Sequence, residues 1–271
     1  MPSWTATDPA GYEKYIGRWS RQLARGLVEF ADVRPGERVL DVGCGTGSLT
    51  VALGDANVAA VTGIDVSAPY IDYARQRTSN RAVTFEVGDA LKLPFTDGVF
   101  DRALSMLALD VLPDPARGLA EMCRVTRPGG VVAVLVPDFR CGFAAFSMLW
   151  DTAAVLDPRA GEVRDEMVSK TLGWPDGLAT LFRTVGLADP KEDHLSVLFR
   201  YTSFEDYWSS FLAGQGKLGG YVMSLADGQR RELEDKVRAT YLCGMPPGPR
   251  AMTNWFWAVR GDVPRSRRGT Q

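Results

Sequence analysis

Three aspartates and three glycines carry the chemistry legible in this chain. Residues 38–47 read Arg-Val-Leu-Asp-Val-Gly-Cys-Gly-Thr-Gly. Val39, Leu40 and Val42 form a short apolar strand with Asp41 near its end. Gly43, Gly45 and Gly47 then alternate through a tight turn, and Ser48–Leu53 resumes as a helix. Without Cβ atoms the backbone takes positive φ and approaches a ligand closely, so strand, glycine turn and helix together make a ligand cradle. Asp65 ends a second apolar strand in Gly63-Ile64-Asp65-Val66-Ser67, and Asp89 ends a third in Val87-Gly88-Asp89-Ala90-Leu91. An acid at the tip of strand two can bond both hydroxyls of a ribose, and Asp89 can accept a proton from the exocyclic amine of a nucleobase. Each also has a plainer role, Asp65 as a helix cap and Asp89 as a turn residue, although Ser67 is available as the cap.

The elements that must position these groups alternate. Arg38–Val42, Val58–Ile64, Val83–Val87, Val99–Ser105 and Val131–Val136 read as strands. Ser48–Leu53, Ala68–Arg77 and Ala116–Val125 read as helices, the last opening after Pro115. Strands alternating with helices predict a parallel sheet covered on both faces, with the ligand crevice at the carboxyl ends of the strands. The turn Arg127-Pro128-Gly129-Gly130 leads into the fifth strand. Beyond residue 137 the pattern changes. Asp138–Leu172, rich in Phe, Met, Trp and Ala, reads as inserted helices. Asp176–Val185, Ser203–Leu212 and Leu225–Leu242 read as helices, and His194–Tyr201 and Ala251–Arg260 as strands. The chain is thus read as one domain over residues 1–262. It has N-terminal helices within 1–30, an insertion over 138–175 between the fifth and sixth strands, and a disordered polar tail over 263–271.

Composition narrows the partners. The 271 residues carry 31 basic and 33 acidic side chains, a formal net charge of −2. No strong field attracts nucleic acid or an anionic membrane. The N-terminus lacks the basic start and apolar run of a signal peptide, and no apolar stretch reaches the roughly 20 residues of a membrane helix. Cys44, Cys123, Cys141 and Cys243 form no Cys-x-x-Cys pair and read as free thiols in a reducing cytoplasm. His194 is the only histidine, which excludes histidine-rich metal sites and two-imidazole mechanisms. The expectation is a cytoplasmic monomer or homodimer with no metal.

Two ligand classes use such a glycine turn. Dinucleotide enzymes use Gly-x-Gly-x-x-Gly with the pyrophosphate at a helix N-terminus. Here the spacing is Gly43-x-Gly45-x-Gly47, and Ser48 holds the place of the third dinucleotide glycine. Acids on all three strand tips suit a ligand with a cationic end, a diol and an amine, which describes S-adenosylmethionine. They suit a pyrophosphate poorly. With these features the chain resembles the class I S-adenosylmethionine-dependent methyltransferases, closest to the ubiquinone/menaquinone-biosynthesis-like and small-molecule branch. The resemblance is strong over about residues 36–137. It is carried by Val-Leu-Asp-Val-Gly-Cys-Gly-Thr-Gly at 39–47, Gly-Ile-Asp-Val-Ser at 63–67, Gly-Asp-Ala-Leu-Lys-Leu-Pro-Phe at 88–95, Phe-Asp-Arg-Ala at 100–103 and Arg-Pro-Gly-Gly at 127–130.

The resemblance implies a doubly wound, seven-stranded, mostly parallel α/β sheet of Rossmann-like type whose last strand, Ala251–Arg260, runs antiparallel. It implies that Gly43, Gly45 and Gly47 lie against the methionine and ribose, and that Asp41 organises the glycine loop or reaches the methionine amino group through water. Asp65 would take the ribose hydroxyls, Val66 would pack on adenine, and Asp89 with Ala90 would read its edge. Ser105 and Met106 would meet the methionine end or the substrate. Tyr12–Ser20 is similar to a lid helix of related enzymes, with Arg18 placed to pair with the cofactor carboxylate and Tyr15 or Trp19 to cover the site.

The expected reaction is methyl transfer to a small molecule at oxygen, carbon or nitrogen. The cofactor arrives activated, so the protein mainly aligns the nucleophile and excludes water. A base is needed only for a weakly acidic nucleophile. The candidates are Asp110 and Asp138, which follow strands four and five, and His194, more readily a surface residue. Each aspartate serves equally well as a cap. Strand four is followed by Leu107-Ala108-Leu109 rather than the Asn/Asp-Pro-Pro-Tyr/Phe of many enzymes that methylate base amines, which argues against a nucleic-acid substrate. Phe139, Phe143, Phe146, Met148, Trp150, Tyr207, Trp208, Phe211 and Tyr221 are candidate walls of an apolar acceptor site, with ordinary core packing favoured for any single one. Two other functions stay open: a nicotinamide-dependent oxidoreductase, and a non-catalytic S-adenosylmethionine-binding protein.

Overall fold

The computed structural model describes residues 7–265. The first elements among the described residues are a short helix α1 (Pro9–Tyr12), a π-helical turn (Glu13–Gly17) and α2 (Arg18–Phe30). The sheet region follows: β1 (Arg38–Val42), α3 (Ser48–Gly54), β2 (Ala60–Asp65), α4 (Ala68–Arg75), β3 (Val83–Val87), β4 (Phe100–Met106), α5 (Pro115–Val125) and β5 (Thr126–Pro137). Helices α6 (Ala144–Leu156), α7 (Pro158–Val168) and α8 (Gly177–Val185) lead to β6 (Ala188–Tyr201). Then come α9 (Phe204–Leu212), α10 (Gly216–Ser224), α11 (Asp227–Leu242) and β7 (Arg250–Asp262).

The seven strands form one sheet in the order β3-β2-β1-β4-β5-β7-β6. β1 to β5 pair in parallel, and β7 lies antiparallel between β5 and β6. This is the expected doubly wound sheet with its last strand reversed. The chain direction changes between β1, which leads leftward to β2, and β4. That switch point opens a crevice at the carboxyl end of β1.

The apolar runs explain the layers. β4 and β5 are buried almost throughout, as strands covered on both faces must be. One face carries Leu23, Leu27, Leu49 and Leu53 of α2 and α3, and the other Leu119, Met122, Leu178 and Phe182 of α5 and α8. Each such side chain contributes roughly 1.5–3 kcal/mol on burial. Helices α4 and α5 start where Ser67 and Asp114 accept the backbone N–H of Tyr70 and Arg117, the standard N-cap arrangement.

Several boundaries differ from the sequence reading. β5 begins at Thr126, paired with Phe100, so the Arg127-Pro128-Gly129-Gly130 stretch lies within a strand interrupted by a register shift. β6 starts at Ala188 because its edge position lets Asp189, Lys191 and Asp193 face solvent while the backbone pairs with β7. The β6–β7 connection holds the two helices expected there, α9 and α11, with α10 added between them, hidden in the sequence by Gly216, Gly219 and Gly220. The polar tail begins later than residue 263: Val263 is buried, and its N–H donates to the Gly130 carbonyl at 2.8 Å. Residues 1–6 and 266–271 lie outside the described residues. Among the described residues no helix is long and apolar enough to cross a membrane.

β6 and β7 run on past the end of β5. Pro137 pairs with Phe256, whereas Ser196–Tyr201 pairs onward with Trp255–Arg250 as a two-stranded ribbon. Helices α6, α7, α9, α10 and α11 assemble around this ribbon with the N-terminal segment. Tyr207, Phe211, Phe146, Trp150 and Tyr241 merge into the same core as the sheet.

Candidate functional site

The crevice is built around the glycine turn. Gly43, Gly45 and Gly47 all hold left-handed backbone, with φ of +72°, +53° and +86°. At Gly43 a Cβ would fall 2.3 Å from the Ala108 Cβ, which forces glycine where the turn meets the exit of β4. That exit is itself strained, since Leu107 takes φ +60° and its N–H donates to the Leu135 carbonyl at 2.9 Å. A bulky residue in this region costs of order 1–3 kcal/mol, and such strain gathers at functional sites.

Asp41 lies beneath the turn, 1% exposed. Its Oδ2 accepts the Thr50 hydroxyl at 2.6 Å, while its Oδ1 is buried with no partner among the described residues. Burial pushes its pKa up to about 7, against the opposing Thr50 bond, and the nearby Asp65 charge adds to the rise. Asp65 is half-buried at the tip of β2. Its Oδ2 accepts the Gly45 N–H at 2.9 Å and its Oδ1 the Ser67 N–H at 2.9 Å. Burial raises its pKa and these two backbone bonds restrain the rise. Each oxygen keeps a lone pair for a ligand hydroxyl. Val66, beside it, is 74% exposed and offers a flat apolar surface. Ser105 and Met106 are buried at the end of β4. Asp89 is exposed and bonds the Leu91 N–H within its own turn at 2.8 Å, with the half-buried Ala90 between them.

The N-terminal segment covers the turn, though through other residues than expected. Arg18 does not face the glycines. Its guanidinium pairs with Asp206 at 2.7 Å and lies over the Trp19 ring at 4.1 Å. Trp19 stacks on Phe199 at 4.0 Å, and Tyr15 packs on Phe146 at 4.8 Å. The residues that reach the turn are Tyr12 and Glu13. The Tyr12 hydroxyl lies 4.0 Å from where a Gly45 Cβ would stand, and its ring meets Tyr70 at 5.3 Å. Burial, with the Asp65 charge next, pushes the Tyr12 phenol well above its usual range. Glu13 accepts the Thr46 hydroxyl at 2.7 Å and pairs with Arg77 at 3.0 Å, and Arg77 also donates to the Thr46 carbonyl at 2.9 Å. A Cβ at Gly17 would fall 2.7 Å from Glu13 Oε1, so that glycine clears space for the carboxylate. The sequence held no signal for Arg77, which enters from the end of α4.

The three proton-acceptor candidates separate. His194 is half-exposed on the edge strand, stacked on Trp255 at 4.9 Å. β6 is four strands from β1, about 19 Å at the usual strand spacing. Asp138 is committed to its turn, with Oδ1 accepting the Arg140 and Cys141 N–H groups at 3.0 and 3.1 Å. Asp110 is buried in the turn after β4, its Oδ1 has no partner among the described residues, and burial raises its pKa while Lys170 opposes the rise. Lys170 donates to the Asp110 carbonyl at 3.0 Å.

Comparisons with known proteins agree with this geometry. A family model described as a methyltransferase domain matches residues 40–134. The chain is 34% identical to methyltransferase GfsG of Streptomyces halstedii over 47% of each protein. The first two curated relatives are matched over 36% and 47% of their own lengths. Identity to the demethylmenaquinone methyltransferase of Beutenbergia cavernae is 35%, over 61% of this chain and 72% of that one. Among solved structures, phosphoethanolamine N-methyltransferase 2 of Haemonchus contortus in complex with S-adenosyl-L-methionine superposes with a TM-score of 0.58. At 18% identity, covering 96% of this chain and 57% of that one, this likeness speaks to the fold alone. Strand order, glycine turn, matched domain and relatives together establish that the chain belongs to the class I S-adenosylmethionine-dependent methyltransferases.

Proposed function

We propose that this protein transfers a methyl group from S-adenosylmethionine to a small-molecule acceptor, within a single domain whose N-terminal segment and 138–175 helices act as lids. The observation that carries the reading is the pair of carboxylates around the glycine turn. Asp41 keeps a buried oxygen without a partner among the described residues, and Asp65 keeps lone pairs for a ligand at the strand tip. This donor-poor, acceptor-rich cradle fits a ligand with an ammonium group and a ribose diol. It opposes a pyrophosphate, because two carboxylates flank the turn and the nearby cation Arg77 is already held by Glu13. Nicotinamide chemistry is therefore disfavoured.

When bound, the cofactor supplies an electrophilic methyl group on a sulfonium centre. Asp41 would receive the ammonium, Asp65 the ribose hydroxyls and Val66 the adenine face, with Asp89 and Ala90 at its edge. Gly43, Gly45 and Gly47 allow close approach. Ser105 and Met106 would border the reacting end. Tyr12 and the latched Glu13 exclude water, and Asp110 is the group able to take a proton from a hydroxyl acceptor. Calorimetry with the demethylated cofactor, S-adenosylhomocysteine, tests the reading. Binding in the micromolar range is expected, and no binding at millimolar concentration overturns it.

A further inference from the structure

A second cavity lies between α6, α7 and the turn that follows β5. It encloses about 400 Å³, a volume within the range of small-molecule sites. Its apolar wall is formed by the buried Phe143, Phe146, Trp150 and Met167. Trp150 is 3% exposed, and its indole Nε1–H finds no acceptor among the described residues. The rim carries Arg140, Asp151, Arg164 and Asp165. Arg164 binds both acids, at 3.3 and 3.0 Å. Arg140 has no carboxylate partner among the described residues and lies over the Trp174 ring at 4.8 Å.

Both groups are pure donors, a buried indole N–H without an acceptor and an exposed guanidinium without a carboxylate. A ligand that completes them must present acceptor oxygens, and the aromatic wall suits a flat unsaturated body. The cavity also borders the proposed reaction centre. Phe139 and Arg140 lie just past the carboxyl end of β5, and Phe146 also meets Tyr15 of the N-terminal segment at 4.8 Å. Met167 and Val168 lead into Lys170, which is bonded to Asp110.

We infer that this cavity holds the methyl acceptor, and that the acceptor is an aromatic molecule bearing a carboxylate or phenolate-type oxygen met by Trp150 and Arg140. The inference rests on the methyl-transfer reading for its meaning, but its test is separate. Calorimetry of the full chain with 2-naphthoate, 2-naphthylamine and, in parallel, S-adenosylhomocysteine is the experiment. The naphthoate should bind at least tenfold more tightly than the amine. Trp150→Phe, which keeps the ring but loses the N–H, and Arg140→Gln should each weaken the naphthoate at least fivefold and leave S-adenosylhomocysteine affinity unchanged. Equal affinity in wild type and both variants, equal binding of the amine, or no naphthoate binding to the wild type overturns the assignment. Failure of S-adenosylhomocysteine alone would overturn the methyl-transfer reading and leave the aromatic site standing.

Discussion

Asp65 holds the glycine turn from the neighbouring strand, its Oδ2 accepting the Gly45 N–H at 2.9 Å while its other oxygen takes Ser67. One side chain thus fixes the loop and waits for the ligand. In Asp65→Ala both N–H groups lose their acceptor, which costs about 1–3 kcal/mol each if they stay buried. The variant should melt several degrees lower and bind S-adenosylhomocysteine at least tenfold more weakly. Calorimetry and thermal unfolding measure both, and an unchanged dissociation constant removes Asp65 from the cofactor site.

Asp41 makes stability depend on pH in the opposite sense to a salt-bridged carboxylate. Burial raises its pKa from 3.8 to about 7, so between those values the folded protein holds a proton that the unfolded chain has released. Its contribution is fully present below about pH 4 and is lost as pH rises through 7, at no more than about 1.4 kcal/mol per pH unit. Asp41→Asn should therefore gain on the wild type in melting temperature from pH 5 to 8. Binding of an ammonium-bearing ligand should expel the proton. Calorimetry near pH 6.5 in buffers of different ionisation enthalpy would reveal the release, and Asp41→Asn should lack it.

Asp110 is expected to trade stability for function. A buried carboxyl with an unpartnered oxygen is a cost to the folded state. Because its pKa is raised, that cost grows as pH rises. Asp110→Asn should stabilise the protein by about 1 kcal/mol at pH 8, and by less at pH 5. A lower melting temperature at pH 8 would mean that the carboxylate is satisfied in solution.

The latch of Glu13 onto Thr46 and Arg77 gives the N-terminal segment a measurable strength. In Glu13→Gln the Arg77 guanidinium loses its ion pair inside a mostly buried site. Trypsin should then cut at Lys14 and Arg21 several-fold faster than in the wild type. S-adenosylhomocysteine should slow the cleavage in both proteins. Equal cleavage rates without ligand would show that the segment is held by Tyr12, Ile16 and Trp19 packing alone.

Local chemistry in the sheet region was legible because it is written in short stretches of chain. The strand over Arg38–Val42 is the strand read from its apolar alternation, and Ser67 caps α4 as its position suggests. Asp65, read only as a ribose ligand or a cap, also holds the glycine turn, a role the sequence suggested for Asp41, because β1 and β2 lie side by side in parallel. Arg18 misled because the Asp206 that captures it sits 188 positions away on α9, and no local pattern encodes such a pairing. Arg77 was missed for the same reason. The start of β6 was obscured because an edge strand with solvent on one side needs no apolar run.

The ribbon of β6 and β7 beyond the sheet has a consequence for how such a molecule can diversify. Residues 202–249 leave and re-enter through one hydrogen-bonded pair of strands, Tyr201 opposite Arg250. The entropy of closing that excursion grows only slowly with its length. Helices there can be lengthened or replaced without shifting the register of any strand that carries Asp41 or Asp65, provided the core places of Tyr207, Phe211 and Tyr241 are filled. Because Tyr221 within that excursion packs on Trp150 at 5.6 Å, a change there would remodel what backs the acceptor cavity while both cofactor carboxylates stay in place.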